Sequence, residues 1–278
     1  MAAPSRSADS FVHLHTHTEF SMLDGAARLD DLFKESARME MPALAMTDHG
    51  NVFGAYEFWR KAKAHGVKPI IGMEGYLSPG SRHERKRATL GGQTVSDDNP
   101  GEMYTHMTLL AENNEGMHNL FRLSSLASLE GYYYKPRMDR ELLETYGKGI
   151  IATTGCPSGE VQRLLQRGDF DGACQAASDY RDIFGEDNFF CELMDHGIEI
   201  EHRVRDGDTR LRRRARRRGH SLPCSSGISR LCSLRRRLHR RQRGLERTLR
   251  PLQRDAVLWA LRSRQAWFDA LKVELDRF

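Results

Sequence analysis

Long apolar runs are missing from this chain of 278 residues. None reaches the roughly 18 consecutive residues of a bilayer-crossing helix, so neither a membrane span nor a membrane partner is expected. The opening MAAPSRSADS has no apolar stretch of the secretory-signal type, which points to the cytoplasm. Cysteine is sparse and odd in number, with five residues scattered at Cys156, Cys174, Cys191, Cys224 and Cys232. Without an export signal, these read as free thiols or metal ligands rather than a disulfide framework. Lysine is nearly absent from one end: residues 203–278 hold 22 Arg and one Lys.

The net charge of +5 averages two compositions. Residues 1–202 carry 20 Lys+Arg against 31 Asp+Glu, net −11, whereas residues 203–278 carry 23 basic against 7 acidic groups, net +16. The chain divides accordingly into an N-terminal extension (1–10), a domain (11–205) and an Arg-rich tail (206–278).

Within the domain, apolar segments alternate between strand and helix character. Strands are expected at 11–15, 42–47, 68–77, about 104–111, 149–154 and 189–194. Helices are expected at 29–39, 52–64, 113–128 and within 158–184. Leu29, Leu32, Phe33 and Ala37 share a helix face, as do Val52, Ala55, Tyr56 and Trp59. This βα alternation predicts an α/β fold built on a mainly parallel sheet or a barrel. Residues 78–103 are polar, contain Gly and Pro and lack periodicity. They read as a long surface loop whose basic cluster, Arg82 to Arg87, is taken as a solvated face, with contact to a phosphate backbone as the alternative.

Several residues resist explanation by packing. In His13-Leu14-His15-Thr16-His17, strand geometry would turn all three imidazoles to one side, where they suit zinc-, iron- or manganese-type ions. The next strand ends in Asp48-His49-Gly50. Glu74 is a lone carboxylate inside apolar IIGMEGYL, costly to bury unless paired or on a metal. His106 falls in the fourth strand, and Cys156 follows the fifth. In α/β folds, groups at the carboxyl ends of successive strands converge, so His15, His17, His49, Glu74, His106 and Cys156 predict a multinuclear metal site. Two close metals clamp the attacking and leaving oxygens of a phosphate ester, which makes phosphoester hydrolysis the natural reaction. His65, His83 and His118 read as surface residues, and Cys174 and Cys191 as small core residues. Asp195-His196 repeats the Asp48-His49 pair without supporting spacing.

HLHTHTEFSMLDG, AMTDHGNVFGAYEFWRKAKAHGVKPIIGMEGYL, YTHMTLLAEN, GYYYKPRMD and GCPSGE resemble the polymerase-and-histidinol-phosphatase (PHP) domain from about Phe11 to about Arg205. GVKPIIGMEGYL and YYYKPRMD are similar to its branch in the alpha subunits of bacterial replicative DNA polymerase III. The resemblance implies a distorted (β/α)7 barrel holding up to three divalent metal ions. Matched one by one, His15, His17, Asp24, His49, Glu74, His106 and Cys156 fill seven of the family's nine ligand positions. It also implies metal-dependent 3′–5′ exonuclease proofreading, with the primer 3′ end of DNA and other replicase subunits as partners. Both histidines of His-x-His stand, as in the family's active branch. A free-standing phosphatase and an inert domain supporting the polymerase are the rival readings.

The family closes its site with an Asp-x-His on a later strand, and residues 203–278 contain none. The polymerase palm carboxylates likewise have no counterpart. The barrel is therefore expected to be incomplete at its C-terminal end. The tail reads as a nucleic-acid arm, as a helical extension or, the favoured reading, as the product of a reading-frame shift near codon 205.

Overall fold

The computed structural model describes residues 11–88, 90, 102–194 and 199–217. The Asp195-His196 pair, Cys224, Cys232 and most of the tail lie outside these residues. Among those described, no helix is long and apolar enough to cross a membrane.

The elements run α1 (Leu29–Arg38), β1 (Ala43–His49), α2 (Ala55–His65), β2 (Lys68–Leu77), β3 (Thr105–Ala111), α3 (Asn114–Leu129) and β4 (Arg137–Met138). Then follow α4 (Arg140–Tyr146), β5 (Ile150–Thr153), α5 (Glu160–Gln166), α6 (Phe170–Phe184), β6 (Phe189–Phe190) and α7 (Glu199–Arg217). The helix ends follow local chemistry. Asn113, Asp139 and Asp169 cap α3, α4 and α6 through their side chains, each accepting from a backbone N–H three residues on. Gly66 ends α2 in the left-handed conformation (φ 65°). Helix α2 begins three residues later than its apolar spacing suggests, because the turn at Gly50 (φ 63°) and an Asn51 side-chain turn come first. Gly168 (φ 78°) divides the expected 158–184 helical region into α5 and α6.

The sheet order is β1-β2-β3-β5-β6, with β4 parallel to the far end of β2. β1–β2 and β5–β6 are parallel, whereas β3 runs antiparallel to both neighbours. The fold is α/β, as expected, but its sheet is mixed. Residues 11–15 are not a ladder strand. The segment follows the free edge of β1, with Ala45 N–H donating to His13 O (2.9 Å) and Thr47 N–H to Thr16 O (2.8 Å), and it bends at 14–15.

Both faces of the sheet are buried. Leu44, Met46, Ile71, Met73, Met107, Leu109, Ile150 and Ala152 face the helices. The other face gathers Val12, Ala43, Ala45, Ile70, Leu110, Ile151 and Phe190 into a small second cluster. Side chains from the edge segment and from β1, β2, β3, β5 and β6 can meet only if the sheet is strongly curved, so this face is concave.

In the loop after β2, residues 83–87 are exposed, as its composition predicts, but Arg82 is not. Arg82 is buried and pairs with Glu130 (2.7 Å), Asp139 (3.1 Å) and Glu141 (3.1 Å). Arg137, fully buried, donates to the carbonyls of Gly131, Met103, Arg82 and Glu84. Arg82 is therefore unavailable to a phosphate backbone. Nothing in the local sequence announces this, because its partners lie about fifty residues away.

Leu110 sits in the inner cluster with no solvent exposure. Truncating it in a close-packed core removes contacts and leaves a cavity, so Leu110→Ala should cost about 2–5 kcal/mol in urea unfolding. A loss below about 1 kcal/mol would mean that the concave face is not packed.

Candidate metal centre

Strand register produces the convergence. His49 pairs with Glu74, Glu74 with Thr108, and Thr108 with Thr153, one row across four strands. Paired residues share a face, here the concave one. His106, two residues along β3, joins them opposite Tyr76. The same face is thus apolar towards one end and polar at the other. The parallel strands bring their carboxyl ends to the site, as expected. β3 brings its amino end, so His106 arrives on an antiparallel strand rather than at a strand C-terminus.

Glu74 is the hub, with 1% of its surface exposed. Its Oε1 accepts from His106 Nδ1 (2.8 Å) and from Cys156 Sγ (3.2 Å). Its Oε2 lies 2.7 Å from His17 Nε2, 3.0 Å from His49 Nδ1 and 3.5 Å from His15 Nε2. Asp24 Oδ2 lies across His17 Nδ1 (2.9 Å) and His49 Nε2 (3.0 Å). All seven expected residues are therefore brought together. His13 is not: it is exposed, with its ring against Phe11. The bend at 14–15 defeats the expectation that three histidines share one face.

The loop bearing Asp24 is held by Asp48. This buried carboxylate accepts from Thr18 N–H (2.7 Å), Thr18 Oγ1 (2.8 Å) and Ser21 Oγ (2.7 Å), while Ser21 Oγ accepts from His49 N–H (3.1 Å). In Asp48-His49-Gly50 the aspartate thus positions the loop, the histidine enters the site and the glycine makes the turn.

Glu192 was missed in the sequence. It accepts from His15 Nδ1 (2.6 Å), from Thr108 Oγ1 (3.0 Å) and from Thr153 Oγ1. Its signal was the one that exposed Glu74: a carboxylate beside apolar strand residues, here FFCELM. By fixing one nitrogen of His15 it aims the other at Glu74, the usual arrangement for a ligating imidazole.

The residues fit divalent metal ions. Among the described residues, the buried atoms His17 Nε2, His49 Nδ1 and Glu74 Oε2 have no hydrogen-bond partner, although the two nitrogens lie 2.7 and 3.0 Å from Glu74 Oε2. Three overlapping ligand groups form among the described residues: His15, His17 and Glu74; His17, Asp24 and His49; and His49, Glu74 and His106. Imidazole with carboxylate suits zinc-, manganese- or iron-type ions.

Charge reinforces the geometry. Burial disfavours the His15 imidazolium, but Glu192 and Glu74 outweigh it and push the group up to about 10. Burial likewise opposes a charged His17, and nearby Glu74 raises it. His49 is lowered by burial and by the charge of His17, against the pull of Glu74. Glu74 stays well below the usual carboxylate range despite burial, because His106, His15 and His17 hold it. Burial and then Glu74 push the Cys156 thiol up.

Fold and site together define an α/β domain whose concave sheet face collects imidazoles and carboxylates suited to metals. The PHP domain matches residues 13–196, and the chain belongs to that family. The chain is 61% identical over 208 residues to DNA polymerase III subunit alpha of Saccharopolyspora erythraea, covering 72% of this chain and 17% of the relative. It is 56% identical over 201 residues to the Mycobacterium leprae subunit (71% and 17%) and 50% identical over 194 residues to that of Deinococcus radiodurans (68% and 14%). The chain thus spans 17% or less of these relatives' length. Among solved structures, a Bifidobacterium adolescentis protein provisionally described as a metal-dependent phosphoesterase overlays with TM-score 0.45 at 13% identity. That match covers 85% of this chain and 97% of the other.

Two outcomes follow. Glu192→Gln should weaken titrated Mn²⁺ or Zn²⁺ by about 10–100-fold, and unchanged affinity would remove its orienting role. In chelator, His15 sits above its ordinary 6.5, so its contribution to stability is complete below about pH 6.5 and lost as pH climbs towards about 10. Glu74 and Glu192 are lowered from 4.5, so theirs is present above about pH 4.5 and lost as pH falls below it. The metal-free melting temperature should peak between these limits and decline on the alkaline side. Glu192→Gln should flatten that decline.

Proposed function

We propose that this PHP domain holds up to three divalent ions of zinc, manganese or iron type through His15, His17, Asp24, His49, Glu74, His106 and Cys156. In this reading it removes nucleotides from the 3′ end of DNA, as the 3′–5′ proofreading exonuclease of a replicative polymerase III alpha subunit in the cytoplasm. The primer 3′ end and other replicase subunits are its partners. The supporting observation is the trio of buried ligand-type atoms, His17 Nε2, His49 Nδ1 and Glu74 Oε2, without a hydrogen-bond partner among the described residues. Bound divalent ions would supply neutralisation of the phosphate and acidification of water.

The chain's own residues divide the remaining work. Glu74 presents one oxygen towards His15, His17 and His49 and the other towards His106 and Cys156, so one carboxylate serves two subsites. Asp24, whose side chain is 47% exposed, borders the solvent side, where a substrate phosphate enters. Glu192 holds His15 in position, and Asp48 holds the Asp24 loop.

The curved sheet, in the same reading, is the larger part of a distorted (β/α)7 barrel. Residues 206–278 are proposed to come from a shifted reading frame. α7 crosses position 205 and buries Val204 and Leu211, so the frame break would fall inside a packed helix. Translating the other two forward frames beyond codon 205 tests this, and failure to find an Asp-x-His strand in either one rejects it. An inert domain that supports the polymerase is the second reading, favoured by the absence of that Asp-x-His from residues 203–278.

Metal analysis together with a 3′–5′ assay on primer DNA decides between the two. The exonuclease reading expects bound ions and degradation that falls at least about 100-fold in His17→Ala, as losing a metal-positioned reaction would demand. Equal degradation by wild type and variant rejects the metal-site chemistry. Bound metal without degradation favours the inert domain.

A further inference from the structure

The segment Gly131–Pro136 forms a tight hairpin closed by Tyr133 N–H donating to Lys135 O (3.0 Å). Its two outward residues are large aromatics, Tyr132 at 56% and Tyr134 at 66% exposure. Tyr134 also has φ 61°, in the left-handed region that a bulky aromatic residue rarely occupies. Tyr134 meets its neighbour Tyr133 edge-on (ring centroids 4.7 Å, 75°), yet most of its surface stays in solvent. An exposed aromatic gains little from folding, and glycine would fit that backbone without strain.

The hairpin is nonetheless firmly held. Arg137, buried at its base, donates to Gly131 O (3.1 Å) and lies over the Tyr133 ring (5.0 Å). The other end abuts the metal centre. A Cβ on Gly50, the residue after His49, would lie 2.8 Å from the Pro136 ring. Lys135 Nζ sits 5.5 Å above the Tyr76 ring, which stacks on His49 at 5.6 Å. Two solvent-facing tyrosines, one of them in the left-handed region, stand with a lysine one ring away from a candidate metal ligand.

We propose that Tyr132 and Tyr134 form a stacking platform for unpaired nucleobases, with Lys135 as the phosphate contact leading to the metal centre. Its ligand is single-stranded DNA, and the inference rests on the exonuclease reading for the direction of that strand. Stacking on exposed aromatics tolerates any base, because every base offers a π face. That suits a site that must accept whichever nucleotide ends the strand. Held in this pose, Tyr132 and Tyr134 lose no further backbone entropy when a base arrives.

Binding is measured on the full chain in chelator, so that no strand is cut. The probes are fluorescently labelled oligo(dT) and an abasic oligomer of equal length and charge. Any phosphate contact from the Arg-rich tail is common to both probes, so the ratio of the two affinities isolates stacking. Wild type should prefer oligo(dT) by about tenfold or more, and Tyr132→Ala with Tyr134→Gly should abolish the preference. That variant also relieves the positive φ at position 134, so its melting temperature should equal or exceed that of wild type. Tyr132→Phe with Tyr134→Phe should restore the preference, because stacking needs the ring and not the hydroxyl.

Equal wild-type affinity for the two probes overturns the platform, as does a preference that survives loss of both rings. A preference without metal-dependent hydrolysis keeps the platform and rejects the exonuclease reading. Hydrolysis without a preference does the reverse.

Discussion

A carboxylate with 1% of its surface exposed sets the terms for this domain. Glu74 lies in a strand whose neighbours are apolar, where an unpaired charge is costly. It is tolerated because three other strands and the edge segment each turn a positive or hydrogen-bonding group towards it. His49 comes from β1, His106 from β3, Cys156 from beyond β5, and His15 and His17 from the edge segment. The concave face must therefore close around one anion. Register, curvature and the bend at residues 14–15 all serve that demand.

Around this hub the fold uses further buried charges as clamps, each closed by its own partners. Asp48 ties the Asp24 loop to β1 through hydroxyl and backbone donors. Glu192 ties His15 to β3 and β5 through two threonines. Arg137 and Arg82 hold the long connection after β2 against the base of the hairpin that carries the exposed tyrosines. Removing the partners of such a charge would leave it uncompensated in a low-dielectric interior. The site's loop residues are thus tied to the sheet by buried hydrogen bonds.

Much of this was legible in the sequence, for definite physical reasons. β1, β2 and β3 showed as apolar runs because both faces of the sheet are buried. Glu74 stood out because nothing about packing explains a carboxylate in IIGMEGYL. Glu192 carried the same signal more weakly, since FFCELM ends where solvent could begin. The antiparallel course of β3 had no local signature: strand direction is set by connections, not by composition. Burial of Arg82 was hidden for the same reason, its partner Asp139 being 57 residues away. His13 was misplaced because alternation holds only in a straight strand, and this one bends.

The same balance of charge links metal binding to folding. Three carboxylates, Asp24, Glu74 and Glu192, meet in the site, and all three are held below their ordinary range by neighbouring imidazoles. In the metal-free protein the compensating charge is carried by protons, chiefly on His15 and His17. A divalent ion delivers its charge to the same place and needs neutral imidazoles as ligands, so it must displace those protons. Protons and metal are then alternative occupants of one electrostatic need. Protonated His15 and His17 offset the Glu74 charge electrostatically, although its Oε2 has no hydrogen-bond partner among the described residues. The domain gains stability from metal only by the excess of the ion's affinity over that of the protons it replaces. Acidification should therefore release metal before it unfolds the domain, because the imidazoles regain their protons while Glu74 still carries its charge.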